Sequence, residues 1–246
     1  MNRLSIAAHR LLIRLAIKDK TPVETFSQAG EDILLQSLFS QKIQLGEPGF
    51  YVDIGAYHPV TYSNTNYFYK HGWRGVNVEP RPGSKSVFET HRSRDINLEM
   101  AVSDHRGTVD FYHLSPTSTI NTTTASRATS AKAPIAIPCD TLDNILAQHL
   151  PSKTRLDFVS IDVEGAESSI VSSTDWRHWR PRIVVVEANG KTVEDFSSSP
   201  VTKYLGSIGY PLIDLRRLYW PPAEKMVKET AASLFFCDSE FYGLAD

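Results

Sequence analysis

The stretch Phe50-Tyr51-Val52-Asp53-Ile54-Gly55-Ala56-Tyr57-His58-Pro59 decides the fold. Its first five residues are apolar, aromatic or β-branched apart from Asp53 and show no polar alternation, the pattern of a strand buried on both faces. Such strands belong to parallel sheets covered by helices on each side. Gly55 then turns the chain and Pro59 stops it from continuing as a ladder. Working outward, Gly75–Pro80, Ile96–Val102, Leu156–Asp162 and Ile183–Glu187 read as further strands. Helical spacing of apolar residues places helices from Glu31, over Asn64–His71, and near Ser84–His91, Thr141–Gln148 and Ile170–Trp179. Strands alternating with helices imply βαβ units: an α/β fold with a mostly parallel sheet flanked by helices. Gly107–Leu114 reads as the return strand of a hairpin or extension, and Tyr210–Leu215 with Ser233–Cys237 as an antiparallel pair at one edge.

The 246 residues, 41% hydrophobic and 22% charged, suffice for one large domain and exclude disordered, collagenous and coiled-coil chains. A net charge of −2 lacks the basic excess that phosphate backbones reward, so nucleic acid is not an expected partner. Two cysteines, Cys139 and Cys237, are too few for a disulfide scaffold. Residues 1–20 carry +4, which leaves −6 on the rest. Leu4, Ala8, Leu11, Leu12 and Leu15 recur there at helical spacing, so 1–22 is expected to be a basic amphipathic helix and 23–246 a single domain. Arg10 and Arg14 interrupt the apolar run far short of the roughly 20 residues a bilayer requires. No cleavage site of a secretory signal follows, so a cytoplasmic location is expected. The helix either packs on the domain or a second subunit, the simpler reading, or touches the inner membrane face loosely. Residues 115–131, with ten Ser or Thr, read as an exposed loop: a substrate lid or a tolerated insertion.

Ligands of open parallel sheets bind at the carboxyl ends of the strands. There the sequence offers Asp53, Glu79, Ser103 with Asp104, Asp162 with Glu164, and Glu187 with Asn189. Acids gathered around one crevice are costly unless they meet a cation or hydrogen-bond donors. A dinucleotide would require a glycine-rich turn after the first strand, and Gly55 is the only glycine of that turn. A ligand with an ammonium and ribose hydroxyls but no phosphate suits the acids better. Glu79, 24 residues past Gly55, stands where a carboxylate accepts from ribose hydroxyls.

The strings FSQAGEDILL, GFYVDIGAYHP, GVNVEPRP, MAVSDHRGTVDFY and LDFVSIDVEGAE, in this order, resemble the FkbM family of S-adenosylmethionine-dependent methyltransferases over roughly residues 26–190. The resemblance implies the class I, Rossmann-like methyltransferase fold and O-methylation of hydroxyls, many on sugars of glycolipids, polysaccharides or natural products. Within the family the chain is similar to the branch that includes nodulation-factor fucose 2-O-methyltransferases. By position it implies that Asp53, Gly55 and Ala56 line the methionine end of S-adenosylmethionine, Glu79 its ribose, and Ser103 and Asp104 the adenine. It places Asp162 and Glu164 beside the transferred methyl.

A sugar hydroxyl is a poor nucleophile while protonated, and Asp162, Glu164, Glu187 and His58 are the candidate bases, Asp162 or Glu164 preferred. A divalent cation such as Mg²⁺ on Asp162, Glu187 and Asn189 is an alternative way to lower the hydroxyl's pKa; the same oxygens would equally suit a metal-free sugar site. The expected activity is methyl transfer to a hydroxyl of a glycan or glycolipid acceptor. The rival readings are a non-sugar hydroxyl, a nucleotide-sugar enzyme, and a non-catalytic binding protein on a similar fold.

Overall fold

The computed structural model describes residues 23–113, 115, 118–128, 133–217 and 230–241. The amphipathic helix expected over 1–22, and parts of the 115–131 segment, lie outside the described residues. The chain runs α1 (Glu31–Leu38), α2 (Ser40–Gln44), β1 (Phe50–Ile54), α3 (Asn66–Lys70), β2 (Arg74–Val78), α4 (Ser84–His91) and β3 (Ile96–Leu98). There follow β4 (Ala101–Val102), β5 (Gly107–Phe111), β6 (Ile135–Asp140), α5 (Leu142–His149), β7 (Phe158–Ile161), α6 (Glu167–Ser173) and α7 (Trp176–Trp179). The last elements are β8 (Ile183–Gly190), α8 (Val193–Ser197), α9 (Pro200–Ser207), β9 (Leu212–Arg217) and β10 (Thr230–Cys237).

Seven strands form one sheet in the order β3-β2-β1-β7-β8-β10-β9. The first five are mutually parallel, and β10 runs antiparallel to both β8 and β9. Every residue of β1 and β7 is buried. Alternate side chains go to opposite layers: Phe50, Val52, Ile54, Val159, Ile161, Val184 and Val186 pack with α5, α6 and α9. Tyr51, Phe158, Ile183 and Val185 join Leu35 and Phe39 of the α1–α2 region and Phe68 and Trp73 below it. This two-sided burial is why the strands read as unbroken apolar runs.

The structure corrects two expectations and adds two helices after β8. The single strand 96–102 is two, because β2 ends before Pro80 and gives β3 no ladder beyond Leu98; Ala101 and Val102 pair instead with Cys139 and Asp140. The 107–114 strand, shortened to β5, has β6 as its antiparallel partner, so β4, β6 and β5 make a separate small sheet. Pro138 interrupts the apolar run of β6 and hid it. Between β8 and β9 the chain forms α8 and α9, opened by a Thr192–Asp195 capping box and by Ser199 before Pro200.

The chain leaves β1 toward β2 on one side, and β7 continues to β8 on the other, so the direction of winding reverses between β1 and β7. Such a switch point opens a crevice at the carboxyl ends. Here the two turns touch: Asp162 N–H donates to Ile54 O at 2.9 Å, and a Cβ on Gly55 would stand 1.6 Å from Asp162 O.

Candidate active site

A cavity of about 310 Å³ fills that crevice, a size typical of small-molecule sites. Its wall brings together Asp53, Gly55, Ala56, Glu79, Asp162, Glu164, Glu187 and Asn189 from the ends of β1, β2, β7 and β8. Ser103 and Asp104 do not reach it. Asp104 sits exposed outside, accepting from Ser169 Oγ at 2.9 Å and paired with His105, while Met100, Ala101 and Val102 present apolar surface to the cavity in their place. His58 is likewise turned away from the wall: its Nδ1 accepts the N–H groups of Val60 and Thr61 at 3.1 and 3.0 Å, closing its own turn.

Each acid is set by its surroundings. Asp53 Oδ2 accepts the Thr65 hydroxyl at 2.8 Å, and Thr65 Oγ1 in turn accepts from Arg92 Nη2 at 2.8 Å. Arg92 is fully buried and also donates to Pro59 O and to Ser63 Oγ, so one guanidinium ties the loop after β1 to the first strand-end acid. Burial lifts the Asp53 carboxyl to about 6 despite Thr65 and Arg92. Glu79 accepts the N–H of Tyr57 at 2.8 Å on Oε2 and of Arg81 at 3.0 Å on Oε1. Burial raises it too, opposed by Arg81.

The acids on the β7–β8 side form a tighter group. Burial, then the charges of Glu187 and Glu164, hold Asp162 well above the usual carboxylate range. Burial and then Glu187 push Glu164 up to about 7, while Arg127 opposes. Burial takes Glu187 to about 7 as well. Asp162 and Glu187 interact directly, so the ionisation of one depends on the state of the other. Arg127 is the one basic residue in the wall among the described residues, and its Nη2 lies 2.9 Å from Glu164 Oε2.

That arginine comes from the Ser/Thr-rich segment. Thr122 pairs with Tyr112 through an isolated bridge, and its hydroxyl donates to Glu164 O at 2.7 Å. Ser118, Thr119, Ile120, Asn121 and Thr123 face the cavity, so the described part of this segment covers the site. Gly165 permits the approach, since a Cβ there would stand 2.7 Å from Arg127 Cδ and 2.9 Å from Thr124 Oγ1. Of the five non-glycine residues with left-handed backbone among the described residues, Tyr57, Tyr62 and Glu164 line this cavity. Strain of that kind persists where surrounding contacts over-determine the conformation, commonly at binding sites.

Several wall and support residues carry no local signal: Thr65, Asn64 and Arg92 act across the fold, and Glu167 is the first residue of α6. Glu167 is buried and accepts the N–H groups of Val163 and Gly165 at 3.1 and 2.9 Å, which shapes the turn that presents Glu164. The Ser/Thr composition of 115–131 together with its lone arginine was the one readable clue to the cover. In chemical terms the cavity combines apolar edges, a carboxylate at each strand end and a single cation, which fits a ligand carrying positive charge and hydroxyls.

Among solved structures the METTL16 methyltransferase domain aligns with a TM-score of 0.46 at 12% identity, over 84% of this chain and 65% of that one, so this chain spans just under two thirds of its length. The 1,6-didemethyltoxoflavin-N1-methyltransferase of Burkholderia thailandensis, solved with 1,6-didemethyltoxoflavin and S-adenosylhomocysteine, aligns with 0.45 and 12% over 96% and 86%. The human methyltransferase 10 domain containing protein aligns with 0.44 and 11% over 96% and 98%. A comparison with curated proteins finds no match. The profile of the methyltransferase FkbM domain matches residues 53–212, well over half of the chain. That span takes in the strand-end residues of the cavity from Asp53 through Asn189, and with it the chain belongs to the FkbM-domain methyltransferases, which depend on S-adenosylmethionine.

Proposed function

We propose that this protein methylates a hydroxyl of a sugar in a glycolipid, oligosaccharide or polysaccharide. The observation that carries the reading is Glu164: a carboxylate pushed up to about 7 in the cavity wall, held by a cover rich in hydroxyls, is matched in pKa to take a proton near neutral pH. S-adenosylmethionine supplies a methyl already activated by its sulfonium. The acids of the wall fit its cationic and hydroxyl groups. Asp53, beside Gly55 and Ala56, faces the amino-acid end, and Glu79 keeps a lone pair on each oxygen for the ribose hydroxyls. Val78, Pro80, Met100 and Val102, rather than Ser103 and Asp104, offer the apolar slot that an adenine ring requires.

Asp162, Glu164 and Glu187 stand on the acceptor side. Glu164 accepts the hydroxyl proton, while Asp162 and Glu187 orient the acceptor for in-line attack; holding two reactants in this way lowers the barrier by several kcal/mol. Tyr57 and the half-exposed Tyr62, stacked at 6.1 Å between ring centroids, offer a face for a sugar ring at the cavity mouth. A terminal fucose is the first acceptor to try, from the likeness to the nodulation-factor enzymes. The peripheral membrane contact and homo-oligomer expected from residues 1–22 are compatible with a glycolipid acceptor; no described helix is long and apolar enough to cross a membrane.

The test is formation of S-adenosylhomocysteine by purified protein, with and without a panel of oligosaccharides, alongside amine and thiol acceptors of similar size. Glycan-stimulated turnover with mass gain of one methylene on the glycan is the expected result. Turnover with amines or thiols alone overturns the reading.

A further inference from the structure

The acids on the β7–β8 side are more crowded than proton abstraction requires. One oxygen each of Asp162, Glu167 and Glu187 lie within 4.8 Å of one another. Arg127, the one basic residue of the cavity wall among the described residues, is already paired with Glu164, outside this trio. Glu187 is only 7% exposed, and its Oε2 has no hydrogen-bond partner among the described residues. Buried carboxylate oxygens are almost always satisfied, and one left open at the wall of a cavity calls for a ligand that brings a hydrogen-bond donor or a cation.

The spacing suits a cation. Metal–oxygen bonds of about 2.1–2.5 Å place ligand oxygens on one ion at most about 5 Å apart. Glu167 is fixed by the N–H groups of Val163 and Gly165, and Glu187 by its place within β8, so two of the three ligands are held on rigid backbone. The donors are all oxygens, with no histidine or cysteine among them, which selects Mg²⁺, Mn²⁺ or Ca²⁺ over zinc. Glu167 thus joins Asp162 and Glu187 in place of Asn189, which lines the cavity with them.

We propose that Asp162, Glu167 and Glu187 form a binding site for one hard divalent cation on the acceptor side of the cavity. Its existence stands on this geometry alone; its role, holding the acceptor hydroxyl while Glu164 receives the proton, rests on the function proposed above.

Mn²⁺ titration of the full-length, cofactor-free protein, followed by loss of the free-ion paramagnetic resonance signal, tests the site without any methyl acceptor. One ion per chain with a dissociation constant below about 1 mM is expected, displaced by Mg²⁺. Glu187→Gln and Asp162→Asn are each expected to weaken binding at least tenfold. Glu99→Gln, on an exposed carboxylate that only caps α4, should leave it unchanged. A wild-type protein that leaves the free signal undiminished overturns the site, as does wild-type-like binding by either folded variant. Because the wild-type titration comes first, misfolding of a variant cannot rescue the idea. Mn²⁺ binding without glycan methylation would remove only the role, and glycan methylation without Mn²⁺ binding would remove only the site.

Discussion

Replacing Glu79 by glutamine isolates the contact assigned to the cofactor's ribose. In the ligand-free protein both carboxylate oxygens already accept a backbone N–H, from Tyr57 and Arg81, at 2.8 and 3.0 Å. An amide can accept on one side only. Whichever way it is turned, its NH₂ meets one of those N–H donors, and the ribose hydroxyl on that side loses its acceptor. Hydrogen bonds to a charged group contribute about 1.5–3 kcal/mol each, so the loss in cofactor binding should be about 1.5–3 kcal/mol, roughly 10- to 150-fold in dissociation constant. The folded state should suffer less, because burial already raises the Glu79 carboxyl and the substitution removes a charge that the site disfavours. Isothermal titration with S-adenosylhomocysteine measures the first quantity and thermal melting of the ligand-free protein the second. Glu79→Asp, which keeps the charge but shortens the reach, should fall between the two. A Glu79→Gln protein that melts like wild type and binds within threefold of it would refute the ribose assignment.

Three further outcomes follow from the same geometry. Gly55→Ala would drive a methyl into Asp162 O at 1.6 Å and impose a left-handed backbone on alanine, so a stability loss above about 4 kcal/mol and no cofactor binding are expected; a wild-type melt would contradict the packing of the β1 and β7 turns. Glu164 and Glu187 titrate at about 7 folded against 4.5 as free side chains, so the folded state holds protons that the unfolded chain has released. Their contribution is favourable below about pH 4.5 and is lost as pH rises through about 7, at most about 1.4 kcal/mol per unit for each group. The ligand-free melting temperature should therefore rise as pH is lowered from about 8 to about 6, and a flat or falling trend would contradict the crowding of these acids. Arg127→Ala removes the charge that opposes the upward push on Glu164, so the acid limb of the methylation rate should move to higher pH; an unmoved limb would exclude Glu164 as the base.

The central strands and their terminal acids could be read because burial on both faces leaves an unbroken apolar run, and a run that ends in Asp, Glu or Gly marks where the sheet stops. Asp53, Glu79, Asp162, Glu164, Glu187 and Asn189 were found in that way and do meet in one cavity. What escaped depends on distance along the chain. Arg92 reaches Thr65 and Pro59 across 27 and 33 residues, and nothing local in His-Arg-Ser-Arg-Asp distinguishes it from a surface arginine. Strand 96–102 broke for a similar reason: nothing local in it marks a stop at Leu98, and the proline that ends its neighbour decides where pairing stops. Ser103 and Asp104 were displaced from the cavity by that break, because Ala101 and Val102 turn into the second sheet and carry the following residues outward. The capping box of α8 was present in the sequence as Thr192 and Asp195 and could have been used. Glu167, by contrast, needed the fold to show that its carboxylate points back toward Asp162 rather than out to water.

We propose that a methyl group moves from S-adenosylmethionine to a hydroxyl oxygen beside the acids after β7 and β8. Carbon NMR of the products formed from S-adenosylmethionine labelled with ¹³C at its methyl, incubated with the protein and a glycan and glycolipid extract, reads that claim in one spectrum. A resonance in the methyl-ether region that is lost with Glu164→Gln is the predicted result. Label recovered only as N-methyl or S-methyl carbon, or an ether signal undiminished by that substitution, would contradict it.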